Sequence, residues 1–263
     1  MSGYVFFQMW EPFRQSLIAG HLFYIEQAQK RLLSQFANIE HEADMAAERW
    51  LEENGHHFDP DRHDPGEFEE RAYDASVEFY GLMCDLREQT KLSVVAGMYH
   101  EWEKQLRDWL VREIQHWHRG SSVKRAVWKV HLGKVMDLLE ELGWNVRDTD
   151  FFPRIDACRL VINVYKHGEG DSLDELKKKY PQYLNDPFRE SEEPHFGADY
   201  LDFTRLKVTP EHVQEFSDAI VSFWKAVPDN IQDHEGLSVP DWFAKAMLSD
   251  QQAASYQQGG PNP

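Results

Sequence analysis

Between Arg159 and Gly168 the chain reads RLVINVYKHG, and four of these residues, Arg159, Asn163, Lys166 and His167, are of types that handle phosphate and protons. Arginine is permanently charged and fork-shaped, so it matches a phosphate and steadies the charge that grows as phosphorus is attacked. Histidine titrates near neutrality and can take or give a proton. Cleavage of an RNA phosphodiester uses both kinds of group. A base removes the 2′-hydroxyl proton, an acid protonates the departing 5′-oxygen, and a cation stabilises the phosphorane between them. One helix offers a single histidine, so a complete acid–base pair requires two copies facing each other across a symmetric dimer.

The spacing gives these residues a common face. At about 100° per residue around a helix, Lys166, Arg159, Asn163, Asp156 and His167 fall within an arc of roughly 100°. The rest of the circumference is filled by Ile155, Cys158, Leu160, Val161, Ile162, Val164 and Tyr165. A helix apolar on nearly all sides is enclosed by its neighbours, so the stripe is expected to face a cleft or an interface. Burying such charges is costly unless they are paired or used. A purely structural reading is therefore also specific: Asp156 pairs with Arg159, and His167 caps the helix end before Gly168.

The run from Arg159 to His167 resembles the Arg…Asn…His helix of the HEPN superfamily, all-α proteins that include ribonuclease toxins and phage-defence effectors. Seven residues separate Arg159 from His167, wider than the family's usual spacing, but Arg159, Asn163 and His167 at i, i+4 and i+8 still share a face. A weaker likeness lies in Met98–Arg107. The resemblance implies a helical bundle whose site sits in a homodimer cleft, with RNA as substrate and no metal or cofactor. It further implies that Arg159 binds phosphate and stabilises the transition state, that His167 is the acid or base, and that Asn163 orients them. Lys166 is the expected phosphate contact. Tyr99, His100 and Arg107 are the candidate substrate contacts on a second helix, whose favoured alternative reading is a solvated face laced by i,i+4 pairs such as Glu103/Arg107.

The elements that must position these residues are mostly helical. Apolar residues recur at three- and four-residue steps from about Glu11 to Glu53, a long helix broken at most once, and again from about Glu67 to His118. Between them Asn54–Gly66, with two Pro and two Gly, is a loop, so residues 1–120 form a long helical hairpin. Arg119-Gly120-Ser121-Ser122 reads as a helix stop followed by a serine N-cap, opening a helix that runs to Gly143. Pro153 suits the first turn of the motif helix and Gly168 its end. A short helix follows from Asp171, then an irregular excursion from Tyr180 to Ala198, a possible strand over Leu201–Val208, and a helix that begins at Thr209-Pro210. Residues 121–248 thus carry the motif. The whole, 1–248, is expected to be a single all-α domain with at most one short β-ribbon. The Gln- and Gly-rich tail 249–263 is expected to be disordered.

Composition limits the alternatives. The 263-residue chain carries a formal charge of −18, which disfavours nonspecific coating of nucleic acid but leaves room for a small cationic cleft. No run approaches the roughly 20 apolar residues of a membrane span, and the start lacks a basic region followed by an apolar core, so a cytoplasmic protein is expected. Cys84 and Cys158 lack ligand spacing. The cluster His56, His57, Asp59, Asp61, His63 and Asp64 matches no named metal site and reads as a solvated loop. The motifs of nucleotide hydrolases and serine hydrolases are absent. The contrasting function is a noncatalytic helical interaction protein, such as a regulatory partner in a defence system, in which the stripe is a buried ionic network. A neutralising or activating protein partner fits either reading.

Overall fold

The computed structural model describes residues 5–186, 200–232 and 238–258, and it is an all-α fold with one two-stranded antiparallel ribbon. In chain order the elements are β1 (Val5–Gln8), α1 (Glu11–Arg31), α2 (Ile39–Asn54), α3 (Pro65–Trp117), α4 (Ser121–Lys129), α5 (Leu132–Glu141), α6 (Phe152–His167), α7 (Asp171–Lys179), α8 (Pro210–Ala226), β2 (Asn230–Gln232) and α9 (Asp241–Gln258). Short 3₁₀ turns join several of them. Among the described residues no helix is long and apolar enough to cross a membrane.

The second half of α3 is the central post. Leu92, Val95, Met98, Tyr99, Trp102, Leu106, Trp109, Leu110 and Ile114 recur at helical spacing and are all buried. Burying each large apolar side chain contributes roughly 1.5–3 kcal/mol, so α1, α6 and α8 gather round this stripe. The Trp102 and Trp144 rings both close on Phe223 of α8, each with centroids 5.1 Å apart. The β1–β2 ribbon is stitched to the same post: the Trp109 and Trp117 indole N–H groups donate to the carbonyls of Gln8 at 3.1 Å and Phe6 at 2.9 Å. Arg14 of α1 is buried and closes the end of α8, donating to the carbonyls of Trp224 and Val227, both at 2.7 Å.

Four details depart from the sequence-based expectations. The helix expected from Ser121 to Gly143 is two helices with extended backbone at Val130 and His131. In a continuous helix the Val127 carbonyl would receive the His131 N–H, but here the Arg107 guanidinium takes it. The serine N-cap expected near Ser121 is not used: Gly120 holds the N-cap position, and the α4 N–H groups of Ser122 and Val123 donate to the Asp250 carboxylate at 2.8 and 3.1 Å. The ribbon is not at Leu201–Val208, where Asp202 accepts the Thr204 N–H at 2.9 Å and starts a 3₁₀ turn, leaving one bridge between Leu206 and Leu184. The tail is helical as far as Gln258, because Asp250 anchors that segment beneath α4. Residues 259–263 and most of the irregular excursion, 187–198, lie outside the described residues.

The Asp250 anchor demands a glycine at 120, since a Cβ there would lie 2.0 Å from an Asp250 carboxylate oxygen. Burial alone would raise the Asp250 pKa. The two α4 backbone donors and His118 at 3.1 Å outweigh it and hold the carboxyl down to about 2, against an ordinary value of 3.8. A carboxyl depressed in the fold contributes stability above its unfolded value and loses it as pH falls toward the folded one. Asp250→Asn is therefore expected to cost about 2 kcal/mol at neutral pH. In denaturant melts the gap from the parent should shrink between about pH 4 and pH 2.

Candidate functional site

Helix α6 sets the site. Pro153 lies in its first turn, and Gly168 ends it with φ of 72°, donating its N–H to Val164 at 2.8 Å. That backbone conformation favours glycine, which fixes the stop immediately after His167. Ile155, Ala157, Cys158, Leu160, Val161, Ile162 and Val164 are buried. The polar arc that remains, from Asp156 through Arg159 to Asn163, opens into a cleft of about 710 Å³. The post helix α3 forms one wall with Tyr99, His100, Glu103 and Arg107. The α4–α5 turn brings His131, and α7 closes the end with Lys179.

Asp156 is the node of this cleft. Its carboxylate accepts from the Arg159 guanidinium at 2.7 and 3.0 Å and from the Tyr180 hydroxyl at 3.2 Å, with the Lys179 ammonium 3.8 Å away. Glu175 reaches Arg159 at 3.4 Å and Lys179 at 3.0 Å, so two carboxylates meet two cations. Burial lowers the affinity of Arg159 for its proton, and the pairing with Asp156 more than restores it, leaving the guanidinium charged at every working pH. Tyr180 is pushed up to about 12, first by burial and then by Asp156. Burial also drives the Tyr99 phenol well above its ordinary range, assisted by Glu103, so it remains a neutral hydroxyl in the cleft wall.

The structure brings together five of the seven residues expected from the sequence. Arg159, Asn163, Tyr99, His100 and Arg107 line one cleft. Arg107 is buried there, with its guanidinium held by Glu103, 3.1 Å from Nε, and by the Val127 carbonyl, so its donors serve the fold. Lys166 and His167 are exposed at the last turn of α6 and lie outside the cleft lining. His167 follows Arg159 by eight residues, roughly 12 Å along the axis, so a shared azimuth does not give a shared depth.

Sequence reasoning did not single out His131, Arg147, Glu175, Lys179 or Tyr180 as site residues. Arg147 joins the lining from a 3₁₀ turn and is held by Asp137 at 2.8 Å, by Glu140 and by the Gly133 carbonyl at 2.8 Å. A signal for Glu175 and Lys179 was available, since they stand at i and i+4 on a short helix joined to α6 by a three-residue turn. His131 carried none, because the break that exposes it depends on Arg107 from another helix.

No family model, no curated protein and no solved structure matches this chain.

Removing the node has two readable consequences. Asp156→Asn should destabilise the protein by about 1–3 kcal/mol, the cost of leaving a partly buried guanidinium short of its carboxylate. It should also bring the Tyr180 phenol below 12, because the neighbouring negative charge that opposes ionisation is gone. Carbon-13 tyrosine resonances followed through an alkaline titration, with Tyr180→Phe as the assignment control, check the second effect.

Proposed function

We propose that this chain is a HEPN-like, metal-independent endoribonuclease of a toxin or antiviral defence system, acting as a homodimer. One observation carries the reading. An arginine and an amide, Arg159 and Asn163, open into a large cleft from a helix that buries most of its apolar residues, and the same arc runs on to an exposed histidine, His167, at the helix end. An exposed His167 suits a site shared between two copies, where the last turns of two α6 helices meet.

In that dimer the scissile phosphate lies between the two His167 rings, and Arg159, deeper along α6, exchanges Asp156 for the oxygens of a neighbouring phosphate on the same strand. Asn163 holds the ribose or phosphate in line. One His167 removes the 2′-hydroxyl proton, and the attacking 2′-oxygen forms a bond to phosphorus as the bond to the 5′-oxygen breaks. The second His167 gives a proton to that leaving oxygen. Lys166, beside each histidine, adds positive charge for the flanking phosphates. The buried Tyr99 hydroxyl and the exposed His100 form the wall along which the strand lies.

A second reading has its own support. Arg107, Arg147, Arg159 and Lys179 each already face a carboxylate from among Glu103, Asp137, Glu140, Asp156 and Glu175. Glu103 and Asp156 line the cleft, and the other three carboxylates meet its cations from outside the lining. The four cations are thus already neutralised and attract RNA weakly, and such a network stabilises a noncatalytic interaction protein.

One experiment separates the two. Purified protein is incubated with RNA in EDTA, beside His167→Ala and Arg159→Ala. The ribonuclease reading expects cleavage to 2′,3′-cyclic phosphate ends, slowed by about 100-fold or more in each variant. Intact RNA, or cleavage that both variants retain, leaves the noncatalytic reading.

A further inference from the structure

The hairpin formed by α2 and the first half of α3 stands outside the core. No residue from Leu33 to Thr90 belongs to the hydrophobic cluster that joins α3, α6 and α8. Within those 58 positions only Ile39, Ala43 and Ala72 are fully buried, and the tip is held by a small ring cluster in which Trp50 and Phe58 pack on Phe68 at 5.5 and 5.2 Å. Yet this same segment leaves large apolar side chains in solvent, among them Tyr73 at 67% exposure and Val77 at 50%. A helix pair with so little of its own core and so much uncovered apolar surface is shaped for a further element.

The uncovered surface is organised. On α3, with Tyr73 placed at zero, Val77 and Tyr80 fall within a stripe about 60° wide. The less exposed residues Ala72, Phe79 and Met83 lie on a different side, centred about 100° away, the side expected to pack on α2. Next to the stripe, on the side away from α2, Glu70, Asp74, Glu78 and Asp85 form a parallel ribbon of exposed carboxylates. From Leu33 to Thr90 the chain carries sixteen Asp and Glu against four Arg, so the segment holds most of the chain's formal charge of −18.

We infer that the Tyr73/Val77/Tyr80 stripe is a docking surface for an amphipathic helix of another protein, one whose apolar stripe is edged by Lys and Arg. Charge selects this occupant. A second copy of the chain would set the Glu70–Asp85 ribbon and its surroundings against a surface of the same sign, and like charges at a contact discriminate against a partner. Nucleic acid is repelled for the same reason. A basic amphipathic helix laid along α3 places anchors at i, i+4 and i+7 on the stripe and cations over the ribbon, completing a three-helix packing that α2 and α3 leave unfinished. This surface is independent of the α6 cleft and of whether that cleft cuts RNA.

The test uses the full chain and a fluorescent synthetic amphipathic peptide of about five helical turns, built from leucine and lysine, with a matched leucine and glutamate peptide. Anisotropy titrations are run on the parent, on Tyr73→Ser/Val77→Ser/Tyr80→Ser, on Asp74→Lys/Glu78→Lys, and on Trp128→Ser as an exposed apolar control elsewhere. All substituted residues are exposed, so circular dichroism should be unchanged. The docking surface predicts saturable binding of the lysine peptide, weakened about tenfold or more by the triple variant and untouched by Trp128→Ser. It also predicts that Asp74→Lys/Glu78→Lys shifts preference toward the glutamate peptide. Equal binding by the triple variant, or no peptide preference, overturns it. So does a parent dimer in sedimentation that the triple variant dissolves, which would assign the stripe to a second copy.

Discussion

The carboxylate of Asp156 lies one helical turn before Arg159 on a helix that packs most of its apolar residues into the core, and this pairing governs the cleft. A guanidinium cannot stand beside buried Tyr99 and Cys158 without a counter-charge. Once Asp156 supplies it, Tyr180 and Lys179 are drawn to the same carboxylate, and Glu175 completes the set. Helix α7 is packed into the core by buried Leu173 and Leu176, which lets its acid and its lysine face back onto Arg159 and Asp156. The arrangement is thus one of mutual neutralisation, and any phosphate that enters must compete with Asp156 for Arg159.

The parts of this structure legible in the sequence are those set by periodicity. The apolar stripe of α3, the burial of α6 from Ile155 to Val164, the proline start and glycine stop of α6, and the hairpin of α2 and α3 all rest on local spacing and turn chemistry, whereas Tyr165, expected on the enclosed side of α6, is exposed. The parts that were not legible depend on side chains that reach across the fold. Arg107 divides α4 from α5 by taking one carbonyl, Asp250 caps α4 from 128 residues away, and Asp202 turns an apolar run away from strand geometry. The same distinction holds at the site. Azimuth placed Arg159 and Asn163 on one face, whereas depth along the axis, which a helical projection discards, leaves Lys166 and His167 at the rim.

Charge is distributed with a consistent logic. The carboxylates of the cleft are consumed by arginines and lysine, while those of the hairpin stand in solvent beside uncovered Tyr73, Val77 and Tyr80. The compact body and the projecting hairpin share α3, so a rigid helix of 53 residues connects the surface fitted for a partner to the wall that carries Tyr99 and His100. At 1.5 Å per residue that helix spans roughly 80 Å, and its stiffness keeps the two regions in fixed register.

The central claim is that Arg159 exchanges Asp156 for an RNA phosphate. The most direct measurement follows the Arg159 Nε resonance in nitrogen-15-labelled protein, assigned with Arg159→Lys, while a short RNA carrying 2′-deoxy substitutions that prevent cleavage is titrated in. The account predicts a saturable shift of that resonance, abolished when the backbone phosphates are replaced by a neutral linkage. An Arg159 signal that stays at its Asp156-paired position while RNA is in excess would contradict it.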